Sequence, residues 1–117
     1  MTAPTDRDLI IRARRGASDA FGELVTRYQT SVFNVCYRMM NDHREAEDLT
    51  QETFLRVYSR LDTFDLEREF GPWVRRAAAN LCLNHLEAQK VTVEIDNDRD
   101  AGESSQPETA VEVRERS

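Results

Sequence analysis

The 117-residue chain is poor in the residues that break helices, with four Gly and three Pro, and it contains no internal repeat. Charged residues make up 32% and hydrophobic ones 39%, a balance that suits a helical, soluble protein of one modest domain. No apolar run approaches the roughly 18 residues that a membrane span requires, and residues 1–8 lack the apolar core of a signal peptide, so a cytoplasmic chain without membrane insertion is expected. Only two cysteines occur, Cys36 and Cys82, each among apolar residues of a predicted helix, where buried reduced thiols are the usual occupants. Reactive chemistry is equally scarce. His43 falls in a polar turn and His85 near a helix end, neither with a Cys or acid at zinc-ligand spacing, and there is no Gly-rich phosphate loop or nucleophile motif. No enzyme, metal or cofactor is expected.

Positive charge is short overall, with a net charge of -6, but the deficit is local. Up to Lys90 there are 13 basic and 14 acidic side chains, and beyond it 3 basic and 8 acidic ones. The folded part is therefore nearly neutral and the tail acidic. Duplex DNA is bound mainly by phosphate neutralisation, so a neutral domain that reads DNA does so with help.

What the chain does have is helical periodicity. Residues 1–5 read as a disordered polar terminus. Asp6 to Arg15 reads as a short helix with Leu9, Ile10 and Ala13 inward, Arg7, Arg12, Arg14 and Arg15 outward, and Gly16 as its stop. A long core helix follows to about Met40, capped by Ser18 or Asp19, with Phe21, Leu24, Val25, Tyr28, Val32, Val35, Cys36 and Met39 at helical spacing. Asn41, Asp42 and His43 make a tight connection, which predicts an antiparallel neighbour.

That neighbour runs from Asp42 to Leu61. Asp42 can accept the free amide of the first turn, and Glu45 completes a capping-box pattern. Ala46, Leu49, Thr50, Phe54, Val57, Tyr58 and Leu61 form one apolar stripe. The opposite face, Asp48, Gln51, Glu52, Leu55 and Arg56, mixes carboxylates, an amide and an exposed Leu, which differs from the alternating acids and bases of a plain solvated helix. Charges flanking an apolar centre on a rigid helix make a partner for another helix. A stretch without a clear stripe, Asp62 to Gly71, precedes a helix opened by Pro72 and carried to about Ala88. It is expected to bury Trp73, Val74, Ala77, Leu81 and Leu86 and to expose Arg75, Arg76, Asn80 and Asn84. The expected fold is all-α: a compact bundle of three to four helices over 6–90, followed by a disordered acidic tail over 91–117.

The order AEDLTQETFLRVY, then Phe64, Phe70, Trp73, Asn80 and Leu86 resembles region 2 of the sigma factors of bacterial RNA polymerase, in the extracytoplasmic-function group. The match covers roughly residues 7 to 90. The resemblance implies a transcription initiation module that directs a specific gene set. In that family the region matching Asp48, Gln51, Glu52, Leu55 and Arg56 docks on a coiled coil of the polymerase clamp. The loop before the last helix captures a base flipped from the single non-template strand of the promoter -10 element. Here that loop is about Asp62 to Phe70, where Phe64 or Phe70 either lines the pocket or holds it open from the core, with Asp65, Glu67 and Arg68 as polar contacts. In the last helix the implied roles are phosphate contact for Arg75 and Arg76 and base-edge reading for Asn80 and Asn84.

Two departures qualify this. The family often ends the last helix in a basic pair, where this chain has Glu87-Ala88-Gln89 before Lys90. Family members also usually carry a second, helix-turn-helix domain that reads the -35 element; it is missing, and 91–117 resembles the acidic linker leading to it. The expectation is a chain cut where that domain begins. An anti-sigma protein covering the same surfaces is an implied second partner, and a monomer is the default oligomeric state. The competing reading is a small helical protein-interaction adaptor without a DNA role, favoured by the acidic surface and the absent basic pair.

Overall fold

The computed structural model describes residues 2–97. Among these described residues there are four α-helices in chain order, α1 (Asp6–Arg14), α2 (Ser18–Met40), α3 (His43–Ser59) and α4 (Phe70–Asn97), with a 3-10 turn at Leu61–Thr63 between the last two. Among the described residues there is no strand. Helix α2 packs against each of the other three, and α3 also packs against α4.

Each boundary has a local cause. Order begins before Asp6: the Thr5 hydroxyl accepts the Asp8 amide at 3.1 Å, and the Pro4 carbonyl accepts from the Arg27 guanidinium, so the expected disordered terminus is held at its inner end. Gly16, at φ 98°, closes α1, with its N–H on Ala13 and that of Ala17 on Arg12. This turn feeds the chain into α2 at Ser18 with Ala17 as the cap residue. Ser18 and Asp19 thus lie inside the first turn, and neither serves as the expected cap. Asn41 ends α2 in the left-handed region at φ 56°, its N–H bonded to the Tyr37 carbonyl at 2.8 Å. Asp42 then caps α3 by accepting the Glu45 amide at 2.9 Å. Glu45 does not complete a box. Its carboxylate is 3.6 Å from His85 Nε2 and 3.3 Å from Gln89 Nε2, tying the start of α3 to α4.

The core is built from Leu9, Ile10 and Ala13 of α1, Leu24, Val32 and Cys36 of α2, Ala46, Leu49, Phe54 and Val57 of α3, and Val74, Ala78, Leu81 and Cys82 of α4. The α3 stripe differs from expectation at two places. Tyr58 is 51% exposed, while Thr53 is fully buried. Thr53 is tolerated there because its hydroxyl bonds the Leu49 carbonyl at 2.7 Å, leaving no polar atom unsatisfied. Helix α4 begins at Phe70, so Pro72 sits in the first turn, where a missing N–H leaves no gap in the ladder. It runs past the expected end near Ala88 to Asn97. The first seven residues of the expected tail, 91–97, are therefore helix, and 98–117 lie outside the described residues.

Cys36 and Cys82 are both free and fully buried, and they meet between α2 and α4. The hydrogen bond they share pulls the Cys36 thiol down and pushes the Cys82 thiol up, and burial raises Cys82 further. Burial decides their accessibility. In the folded chain neither thiol should react with an aromatic disulfide reagent at neutral pH, and both should react at the rate of unfolding once denaturant is added. A fast burst of modification in native buffer would contradict this packing.

Candidate functional site

Two surfaces carry the residues singled out in the sequence. The first is the outer face of α3. Asp48, Gln51, Glu52, Leu55 and Arg56 line one shallow groove of about 550 Å³, joined by Ser59 and Arg60. Leu55 stands 71% exposed among them, and Arg56 Nη2 lies 3.8 Å from Glu52 Oε2, one turn away. An exposed pair of this kind is worth little energetically. Ser59 and Arg60 were missed in the sequence although they continue the same stripe one turn on, at four residues from Leu55 and Arg56.

On the α2 side of Leu55 lies a second, apolar groove of about 510 Å³, lined by Phe21, Val25, Phe54, Leu55 and Tyr58 among others. Tyr58, expected in the core, forms its rim with its ring edge-on to Phe21 at 4.9 Å between centroids. A tyrosine suits this half-exposed edge of the bundle, because its ring can pack while its polar end tolerates water.

The second surface surrounds the segment between α3 and α4. Phe64 and Phe70 are buried, at 5% and 2% exposure, and form an aromatic cluster with Trp73; Phe64 is 4.6 Å from Trp73 and 5.7 Å from Phe70 between centroids. Both phenylalanines hold the segment from the core, and both also reach the wall of a cleft of about 410 Å³. Arg7, Tyr28, Leu66, Arg68 and Arg75 contribute to the same wall. Asp65 and Glu67 are exposed and shape the turn: the Asp65 carboxylate accepts the Glu67 amide at 2.9 Å, and its carbonyl accepts the Arg68 amide at 2.9 Å. Arg14, expected to be solvated, instead turns inward. Its Nε donates to the Leu61 carbonyl at 2.9 Å, and its Nη2 donates to the Phe64 carbonyl.

The α4 residues divide. Arg76 is exposed, whereas Arg75, Asn80 and Asn84 are half-buried, contrary to the expectation that all four face solvent. At about 100° per residue, Arg75 points some 180° away from Asn84 around the helix, so they belong to different faces. Arg75 turns toward α2, with Nη1 3.3 Å from the Ser31 hydroxyl. Gly71 makes room for this arrangement, since a Cβ there would lie 3.1 Å from Tyr28 Cε1 and 3.2 Å from Arg75 Nη1. Phe64, Arg68, Phe70 and Arg75 thus meet at the cleft, Asp65 and Glu67 shape the turn beside it, and Arg76, Asn80 and Asn84 lie along α4. Among the described residues no group of three or more His, Cys, Asp or Glu side chains could hold a metal ion, and no helix is long and apolar enough to cross a membrane.

A model of the Sigma-70 region 2 family matches residues 24–92, and the chain belongs to that family. Curated relatives of the chain include factors of the extracytoplasmic-function (ECF) group. It is 37% identical over 87 residues to the ECF RNA polymerase sigma factor SigW of Bacillus subtilis, covering 74% of this chain and 46% of the relative. With the ECF RNA polymerase sigma factor BldN of Streptomyces coelicolor it shares 38% over 89 residues, covering 75% and 34%. The chain thus spans less than half the length of these relatives. Among solved structures, an engineered region 2 of sigmaE in complex with GTAAAA, determined by NMR, superposes with a TM-score of 0.74 at 37% identity, covering 80% of this chain and 99% of that one.

The floor of the cleft offers a titration that reports on its integrity. Tyr28 donates its hydroxyl hydrogen to Asp6 Oδ2, and Arg27 Nη1 holds Asp6 Oδ1 at 2.9 Å. Burial first, and then the bond to Asp6, push the Tyr28 phenol up to about 12. Because the folded-state value lies above the unfolded one, the contribution to stability is complete below about pH 10 and is lost as pH rises toward 12. Ultraviolet titration should show one phenol ionising near pH 12, and Tyr28→Phe should remove that step and flatten the fall in stability above about pH 10.

Proposed function

We propose that this chain is the polymerase-binding and -10-recognising domain of an ECF sigma factor, a non-enzymatic module that works in the cytoplasm and directs the polymerase to a specific gene set. The observation that carries the reading is the α3 face. In a chain of the sigma-70 region 2 family, Asp48, Gln51, Glu52, Leu55 and Arg56 surround one exposed leucine on a helix whose other side is fixed in the core. A rigid face of this composition suits a coiled coil of the polymerase clamp, with Leu55 as the apolar anchor and the charges setting register. Ser59 and Arg60 extend it.

Promoter recognition is assigned to the cleft and the outer side of α4. A base taken from the stack costs a few kcal/mol, which stacking and hydrogen bonds to its edge offset. The cleft beside Phe64 and Phe70 has the volume and the mixed apolar and cationic wall for such a base, and Arg68 and Arg75 are placed for the phosphates beside it. Arg76, Asn80 and Asn84 are the corresponding candidates along α4. The complex of the related sigmaE region 2 with GTAAAA supports a single strand as the ligand. Since 6–90 is nearly neutral, affinity for duplex DNA by itself should be weak, and promoter melting should depend on the assembled polymerase. An anti-sigma protein that covers the α3 face is the second partner proposed.

Capture of core RNA polymerase by the wild-type chain tests this directly. A variant with Asp48→Lys and Glu52→Lys should lose capture by at least tenfold while keeping its helical circular dichroism, because both positions are exposed and outside the core. Equal capture by the folded variant would count against the α3 assignment. Retention of polymerase with indifference to any -10-type single strand would favour the adaptor reading.

A further inference from the structure

Arg14 and its partners lie 47 and 50 residues apart in the chain, so this contact joins the first helix to the start of the loop. The segment it grips has little regular structure. Leu61–Thr63 is a single 3-10 turn, and the next helix begins only at Phe70. Burial of Phe64 and Phe70 pins its two ends, but pinning a side chain does not fix the direction in which the main chain leaves it. That direction is set at the Phe64 carbonyl, because the Phe64–Asp65 peptide leads into the turn shaped by Asp65. Arg14 Nη2 holds this carbonyl, while Nε holds Leu61 O, which also accepts the Phe64 amide at 3.2 Å. A guanidinium is well suited to this position, being planar and always charged and offering donors in a fixed fork to the carbonyl end of the turn. Lysine can supply the charge but not the fork.

We infer that Arg14 is a positioning residue for single-strand recognition: from α1 it sets the course of the loop 64–69, and so the side of the cleft that includes Leu66 and Arg68. The role rests on the reading of that cleft as the base receptacle. Helix α1 thereby belongs to the recognition apparatus through its hold on the main chain of the loop. The family match begins at residue 24, outside which Arg14 lies.

The full chain, Arg14→Lys and Arg14→Gln are titrated with fluorescent GTAAAA and with a fully randomised hexadeoxynucleotide. In parallel, amide exchange is followed by NMR in the free proteins, and polymerase capture and thermal unfolding are recorded for each. The expected result is an affinity loss of about tenfold for Arg14→Gln and a smaller one for Arg14→Lys, with faster exchange confined to 61–68 and polymerase capture unchanged. Arg14→Lys keeps the charge and the aliphatic stem, so it serves if the glutamine variant does not fold. Wild-type affinity in the folded lysine and glutamine variants overturns the inference, as does a loosened loop that binds as tightly as before. An affinity loss that merely tracks general unfolding, with exchange raised throughout the chain, overturns it as well. If the wild type itself binds neither oligonucleotide, alone or with polymerase, the cleft reading falls and the positioning role falls with it. Equal loss in every arm is thereby separated from a loss specific to Arg14.

Discussion

The domain depends on one helix being buried on more than one side. Helix α2 is 23 residues long, and Leu24, Val32 and Cys36 along it are completely excluded from solvent because α1, α3 and α4 all close on it. Burying a Leu or Val side chain contributes about 1.5–3 kcal/mol, so Leu24 and Val32 together exceed what an exposed ion pair supplies. The short connections before and after α2 leave α1 and α3 no choice but to fold back along it. Once those two are placed, the outer face of α3 is presented as a rigid platform, and the carbonyl end of α3 is delivered to the neighbourhood of Arg14.

The two candidate surfaces differ in how they are held, and the difference suits different partners. The α3 face is part of a regular helix whose inner side is locked by Ala46, Leu49, Thr53, Phe54 and Val57, so docking there requires little ordering. The segment from Asp62 to Glu69 lacks α-helix and is fixed instead by discrete points: two buried rings, an Asp65 turn and the Arg14 fork. Such a segment can adjust by small rotations between its anchors, as the proposed capture of a flipped base would require and the proposed helix–helix contact would not. The near balance of charge over 6–90 fits this division, since neither surface relies on a broad positive field.

The helices and the α3 face were legible in the sequence because both follow from a period of 3.6 residues and from residue type alone. Leu9, Leu24, Val32, Leu49, Val57 and Val74 could be placed inward on that basis, and Asp48, Gln51, Glu52, Leu55 and Arg56 outward. The exchanges at Thr53 and Tyr58 were not legible from hydrophobicity. A threonine enters the core by bonding its own preceding turn, and a tyrosine leaves it because one end of its ring needs water. The grouping of Arg75 with Asn80 and Asn84 as one exposed set rested on their polarity, and simple helical angles already oppose it. Glu45 shows the limit of a capping motif: the pattern was present, but Gln89, some 40 residues on, offered its carboxylate a competing donor, with His85 beside it.

Arg14 is the clearest case of a residue whose sequence position misleads. It stands among Arg7, Arg12 and Arg15 on a short amphipathic helix, with nothing local to distinguish it from them. What distinguishes it is a pair of carbonyls that exist only after α3 has ended and the chain has made its 3-10 turn against α1. Main-chain carbonyls at the end of a turn carry partial negative charge and need donors, and they leave no mark in the side-chain pattern. A long cationic side chain can lie over apolar surface with its head either in water or on such carbonyls, and the same four-arginine stripe accommodates both. The information that selects between them is tertiary. It lies in where the unsatisfied ends of one helix fall relative to the last turn of another, and in this domain it couples the first element of the chain to the segment between α3 and α4.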